Sequence, residues 1–175
     1  MAEEIKQTDA LTEAEVESLF GWGENIFGVL PHTLTWRPKD THFVLYADGR
    51  SLSHVGLLRH TIKVNGDPIL VAGVGGVVTV PEAQRRGLAR RLMEHAHKFM
   101  EHEWAVDAGL LFCLPEKEQY YGRLGWQTLE APVTIQQPDD SHGLRKVLSP
   151  LSVMILPLGN TRWPSGQVDL DSLPW

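Results

Sequence analysis

The stretch Ile69-Leu70-Val71-Ala72-Gly73-Val74-Gly75-Gly76-Val77-Val78-Thr79-Val80-Pro81-Glu82-Ala83-Gln84-Arg85-Arg86-Gly87-Leu88-Ala89-Arg90-Arg91 decides the fold. Residues Ile69 to Val80 form an apolar run too short to be a long helix. A run of this kind, apolar on both alternations, reads as a central strand covered on both faces. Gly73, Gly75 and Gly76 inside it point to a bulge or to a close approach by a ligand. After Pro81 the chain turns, and Leu88, Leu92, Ala96, Phe99 and Met100 fall on one stripe of a helix. Gly109 to Leu114 is the next apolar strand, so the three elements make a β-α-β unit.

Residues 84–91, from the turn into the helix start, hold Arg85, Arg86, Arg90 and Arg91 and no acid. Positive charge at a helix start opposes the helix dipole, and an anionic ligand would resolve that conflict. Gly87 would let such a ligand reach the backbone, and Ala89 keeps the first turn clear. No Gly-Lys-Ser/Thr follows, so this is not a Walker loop. The Gly-x-Gly-x-x-Gly spacing of a dinucleotide fingerprint is also absent.

Outward from this centre, Thr12 and Glu15 have capping-box spacing, with Leu11 and Val16 placed as a hydrophobic staple. The helix they open continues through Leu19 and Phe20 and is broken at Gly21-Trp22-Gly23. Residues Glu24 to Leu30 read as a second short helix ended by Pro31. Strands are expected over Thr41 to Ala47 and His54 to Val64, with Asp48-Gly49 and Asn65-Gly66 as turns. Glu116 to Leu124 reads as a short helix closed by Gly125. Further strands are expected at Trp126 to Leu129 and Leu151 to Leu158. The remainder, residues 161–175, reads as an irregular tail. The fold class is α+β: a mixed, mostly antiparallel sheet, flanked by helices, with one crossover, in a single domain spanning 1–175.

The 175 residues carry a net charge of -6 and one cysteine, Cys113. The acidity argues against general nucleic-acid binding. A lone cysteine excludes an internal disulfide and a cysteine-rich zinc site. No apolar run reaches the roughly 18 residues of a membrane span, and the acidic start is unlike a secretory signal, so a cytoplasmic protein is expected. His95 and His97 lie about 200° apart around their helix, and His95 and His102 about 10 Å apart along it, so neither pair suits one metal ion. Metal binding is therefore not expected. Cys113, inside an apolar strand, reads as a buried thiol.

The order and spacing of two blocks resemble the GCN5-related N-acetyltransferase (GNAT) superfamily. The first is Gln84-Arg85-Arg86-Gly87-Leu88-Ala89 after Val80-Pro81, and the second is Tyr121-Gly122-Arg123-Leu124-Gly125-Trp126. The resemblance implies acetyl-coenzyme A as cofactor. It also implies that the backbone at Val78 and Val80 pairs with the pantetheine arm. The pyrophosphate would rest on Arg85, Arg86, Gly87, Leu88, Ala89 and Arg90. Tyr121 would be the catalytic acid that protonates the departing sulfur, or would only pack and bond it. The expected partner is a small-molecule amine, and a homodimer is compatible with the resemblance. Residues 54–64 and Trp163-Pro164-Ser165-Gly166 look like nodulation N-acyltransferases. The Trp-terminated tail looks like that of aminoglycoside 2'-N-acetyltransferases. Both similarities hint at an amino-sugar acceptor.

The strand from Gly73 to Val80 lacks the carboxylate that serves many relatives as base. Glu82 reads as a surface residue. A base acting through water, an already neutral amine, or the carboxylate of Trp175 remain as alternatives. The missing carboxylate also leaves open a non-catalytic acyl-coenzyme A sensor, and a longer acyl donor is a further option. Trp22 reads either as core packing or as a platform for the acceptor, and Trp104 and Trp126 as packing at element ends.

Overall fold

The computed structural model describes residues 3–29, 34–138, 146–147 and 150–175. The chain opens with β1 (Glu3–Thr8), then α1 (Glu13–Phe20), β2 (Thr41–Ala47), β3 (Arg50–Val64) and β4 (Asp67–Thr79). After a short 3-10 turn come α2 (Leu88–His102) and β5 (Ala108–Cys113), then α3 (Glu118–Gly122). The last elements are β6 (Gln127–Thr128), β7 (Val133–Ile135), β8 (Lys146–Val147), β9 (Ser152–Pro157) and β10 (Val168–Asp169). The sheet runs β6-β9-β5-β4-β3-β10-β7-β8. β3 forks it, pairing β2 over residues 50–57 and β10 at Lys63 and Val64, while β2 also carries β1. Most pairings are antiparallel; β4 and β5, joined through α2, are parallel. This is the α+β architecture expected from the sequence, with its central crossover in place.

Local chemistry accounts for the well-read elements. The Thr12 hydroxyl accepts from the Glu15 amide while the Glu15 carboxylate accepts from the Thr12 amide, completing the capping box. Asp48-Gly49 and Asn65-Gly66 all adopt positive φ, as two-residue hairpins of the tight type require. On β2, Phe43 meets His95 and Phe99 of α2, whereas Tyr46 bonds Glu15 of α1. Alternation along the strand therefore places α1 and α2 on opposite faces of the sheet. Leu88, Leu92, Met93, Ala96 and Met100 of α2 pack on Val55, Leu57, Ala72 and Val74. The other face gathers Leu58, Ile62, Val71, Leu110, Ile155 and Trp175.

Several expectations are corrected. Residues 24–29 form turns rather than a second helix; Asn25 has φ 48, which a helix does not accept, and residue 30 lies outside the described residues. The expected helix over Glu116 to Leu124 is shorter, a 3-10 turn followed by α3. β1, β7, β8 and β10 have no strong sequence signal: β1 is polar and exposed, and the rest are two or three residues long.

The tail is not a loose appendage. β10 pairs with β3 and β7, and Trp175 is 3% exposed. Its indole N–H donates to the Leu110 carbonyl at 3.0 Å, between His60 and Phe112. The Arg37 guanidinium donates to His60 Nδ1 at 3.0 Å, so His60 Nε2–H donates to Leu170 O at 2.8 Å and ties the tail to β3. The indole lies directly on Gly73: a Cβ there would overlap the ring. Gly73→Ala is therefore expected to cost about 1–3 kcal/mol, as overpacked cores do. Thermal denaturation checks this, and in a Trp175→Ala background the added cost of Gly73→Ala should shrink.

Candidate active site

At the end of β4 the chain forms a cradle of backbone amides. Arg85 and Gly87 both take left-handed φ, 62 and 77, and Gly87 precedes α2. Arg91 N–H is the first to bond back into the helix, to Gly87 O at 3.1 Å. The amides of Arg85, Arg86, Gly87, Leu88, Ala89 and Arg90 have no hydrogen-bond partner among the described residues. A Cβ on Gly87 would meet nothing within 4 Å, so the cradle is open on that side. Consecutive free N–H groups at a helix start suit an anion. The arginines divide by role: Arg90 pairs with Glu94 at 3.7 Å and Arg91 bonds Glu3, whereas Arg85 and Arg86 are exposed. Glu82 is a surface residue paired with Arg50 at 2.7 Å, in agreement with its sequence reading.

Beside the cradle, the sheet opens. β4 pairs with β5 only from Val71↔Ala108 to Val74↔Leu111; beyond that the two strands are no longer bonded. Residues 75–79 of β4 thus offer an unpaired edge, on which an extended ligand can add like a strand. The register of that edge differs from the expectation for Val78 and Val80. Val80 N–H donates to Leu52 O on β3 at 3.0 Å, and Val78 O accepts from the Ser53 hydroxyl of β3 at 2.9 Å. Both residues direct backbone groups toward β3. Alternation then assigns the open edge to Val77 and Thr79. Thr79 O is already taken by the Gln84 side chain at 3.1 Å.

The glycines explain why the edge is shaped this way. Gly56 faces Gly75 and His54 faces Val78, so β4 carries an extra residue between these pairs, a bulge. Gly76 sits in it with φ 60. Its carbonyl meets Nδ1 of His54 at 2.6 Å, and Nε2 of His54 meets Nδ1 of His42 at 2.9 Å. His54 is 2% exposed, beneath the ring of Phe20, and burial pushes its pKa down to about 4. The side chain of Lys39 lies across Gly56 and Gly75, with Nζ 3.0 Å from where a Cβ on Gly75 would stand. Burial first, then the Arg37 charge, pushes its ammonium down to about 8. The main-chain carbon of Trp175 is 3.3 Å from the same Cβ position. Sequence reading marked the three glycines but gave no site role to His54 or Lys39, which converge only once the sheet is assembled.

On the far side of the opening, Tyr121 stands on α3. Its ring makes edge contacts with Tyr120 and Trp126. Burial, then Tyr120 and Cys113, push its hydroxyl pKa upward, so it holds its proton. Cys113, at the end of β5, is buried and its thiol is pushed up to about 11, mainly by burial. Gly28, in the loop after α1, approaches Leu114, where a Cβ would be 3.0 Å from its side chain. That loop thus reaches the end of β5. Trp22 and Phe27 on it are 39% and 44% exposed, so Trp22 does not fill the core, though its N–H donates to Leu19 O. Trp126 packs on Gly109 and Trp104 on Phe99. Among the described residues no group of His, Cys, Asp and Glu could hold a metal. No helix among the described residues is long and apolar enough to cross a membrane.

A strand that parts from its parallel neighbour beside an amide cradle is the architecture of acyl-coenzyme A N-acyltransferases, and the comparisons agree. The chain has the fold of an acyl-CoA N-acyltransferase from Pseudomonas aeruginosa (21% identity over 89% of this chain and 99% of that one, TM-score 0.58). It also matches ElaA of Escherichia coli (13% identity, 89% and 99% covered, TM-score 0.58). A third match is YhbS of Escherichia coli, a GNAT family N-acetyltransferase solved in complex with CoA (16% identity, 75% and 67% covered, TM-score 0.53). No curated protein matches in sequence. The family model for the acetyltransferase (GNAT) domain matches residues 11–129, and the chain belongs to that family.

Proposed function

We propose that this protein transfers an acetyl group from acetyl-coenzyme A to the primary amine of a small molecule. The observation that carries the reading is the run of amides from Arg85 to Arg90 without a partner among the described residues, beside the unpaired edge of β4. The cradle amides hold the pyrophosphate, and Arg85 and Arg86 add charge from the surface. The edge at Val77 and Thr79 receives the pantetheine arm. Acetyl-coenzyme A supplies an acetyl group activated as a thioester. The neutral amine would attack the thioester carbon; as the carbon–nitrogen bond forms and the carbon–sulfur bond breaks, Tyr121, kept protonated by burial, would give its proton to the sulfur, and the proton shed by the nitrogen would pass to solvent while solvent restores the phenol.

The acceptor enters on the α1 side, past Trp22 and Phe27 and toward Lys39. A polycationic aminoglycoside would set its charges against Lys39 and Arg37. A neutral amino sugar, or an amine that also bears an acidic group, fits this side better. A second reading, an acyl-coenzyme A sensor without turnover, is favoured by the absence of a carboxylate from Gly73 to Val80. One experiment separates the two: calorimetric titration with acetyl-coenzyme A, followed by thiol release against a panel of amines. Binding with release for at least one amine is the expected result. Binding without release for any amine would favour the sensor, and absence of binding would refute both.

A further inference from the structure

Resting on the acetyl-transfer reading, we infer that His54 is a positioning residue that aims the Val77 N–H into the gap, as the donor to the thioester carbonyl oxygen. Hydrogen-bond logic fixes the protonation of the pair. A backbone carbonyl has no proton to give, so Nδ1 of His54 carries the hydrogen in the 2.6 Å bond to Gly76 O. The ring is neutral at working pH, because burial holds its pKa near 4. Its Nε2 is then a bare acceptor and takes the proton of His42 Nδ1 at 2.9 Å. Each imidazole thereby locks the tautomer of the next.

The consequence passes through one peptide unit. In a trans peptide the carbonyl and the following N–H point in opposite directions. Holding Gly76 O against the His54 ring, which lies under Phe20 on the α1 face, turns the Val77 N–H away from that ring. The pairing of β4 with β5 has already stopped at Val74, so no β5 strand partner takes that N–H. The backbone bonds of Val78 and Val80 to β3 assign Val77 to the open edge independently. Gly76 makes the twist at low cost, since its φ of 60 favours glycine and a Cβ there would press on the imidazole at 3.1 Å. A donor preset toward developing negative charge is worth about 10²–10³ in rate.

The test uses geometry-matched variants and two readouts. Asn places its amide N–H where Nδ1 stands; Gln and Ala do not. In the free protein, imidazole nitrogen NMR should show His54 protonated at Nδ1, and the Val77 amide resonance should shift in His54→Ala and His54→Gln but return in His54→Asn. With acetyl-coenzyme A and an amine probe such as a simple arylalkylamine, kcat should fall about 10- to 100-fold in the Ala and Gln variants, somewhat less than removal of a donor outright. The KM for acetyl-coenzyme A should change little, and Asn should recover most of kcat. An unprotonated Nδ1, or an Asn variant that resembles Ala in the Val77 resonance, would overturn the inference. The NMR readout stands even if the wild-type protein acetylates no amine, an outcome that would refute the function and not the clamp.

Discussion

Arg85→Glu together with Arg86→Glu is expected to weaken acetyl-coenzyme A binding by at least a hundredfold while leaving the melting temperature nearly unchanged. Both side chains are exposed and neither forms an ion pair among the described residues, unlike Arg90 and Arg91. A charge-assisted hydrogen bond is worth about 1.5–3 kcal/mol. Losing two of them and adding repulsion exceeds the roughly 2.8 kcal/mol that a hundredfold change requires. Surface substitutions away from buried features usually stay within about 0.5 kcal/mol of stability. Calorimetry and thermal melting measure the two effects separately. An affinity equal to wild type would remove the phosphate role from this turn.

Tyr121→Phe is expected to lower kcat by about 10²–10⁴, the span of general acid catalysis, with little change in cofactor affinity. Phenylalanine keeps the edge contacts with Tyr120 and Trp126, so packing is preserved and only the hydroxyl is lost. The raised pKa places the acid in its protonated form throughout the neutral range, so wild-type kcat should show no fall near pH 10, the ordinary tyrosine value. If Tyr121 merely packs, the Phe variant will turn over at the wild-type rate.

The crossover and its basic turn were legible because strong local signals coincide there: a continuous apolar run, a glycine at the helix start and an amphipathic stripe. The hairpins were legible because Asp48-Gly49 and Asn65-Gly66 encode their own geometry. The tail was not. Val168-Asp169 is too short to show a period, and Trp175 finds its place only because Gly73, a hundred positions earlier, lacks a side chain. The acceptor side was hidden for the same reason. Lys39 carries no motif, and His54, though it opens the 54–64 stretch, has no role legible there; their meeting over Gly56, Gly75 and Gly76 is a product of sheet register. The chain carries a net charge of -6, yet the side chains nearest the bulge are Lys39 and two histidines. Where a charge lies in the fold outweighs the total. The edge shows the same limit at finer scale, since the bulge at Gly76 moves the offered groups from Val78 and Val80 to Val77 and Thr79.

The central claim is that acetyl-coenzyme A lies on the amide cradle and the open edge of β4. Amide NMR during titration with acetyl-coenzyme A tests it most directly. The largest shifts are expected at Arg85 to Arg90, with a second group at Val77 and Thr79 and little change along β1, β7 and β10. No saturable shift, or shifts centred away from the turn and the end of β4, would contradict it.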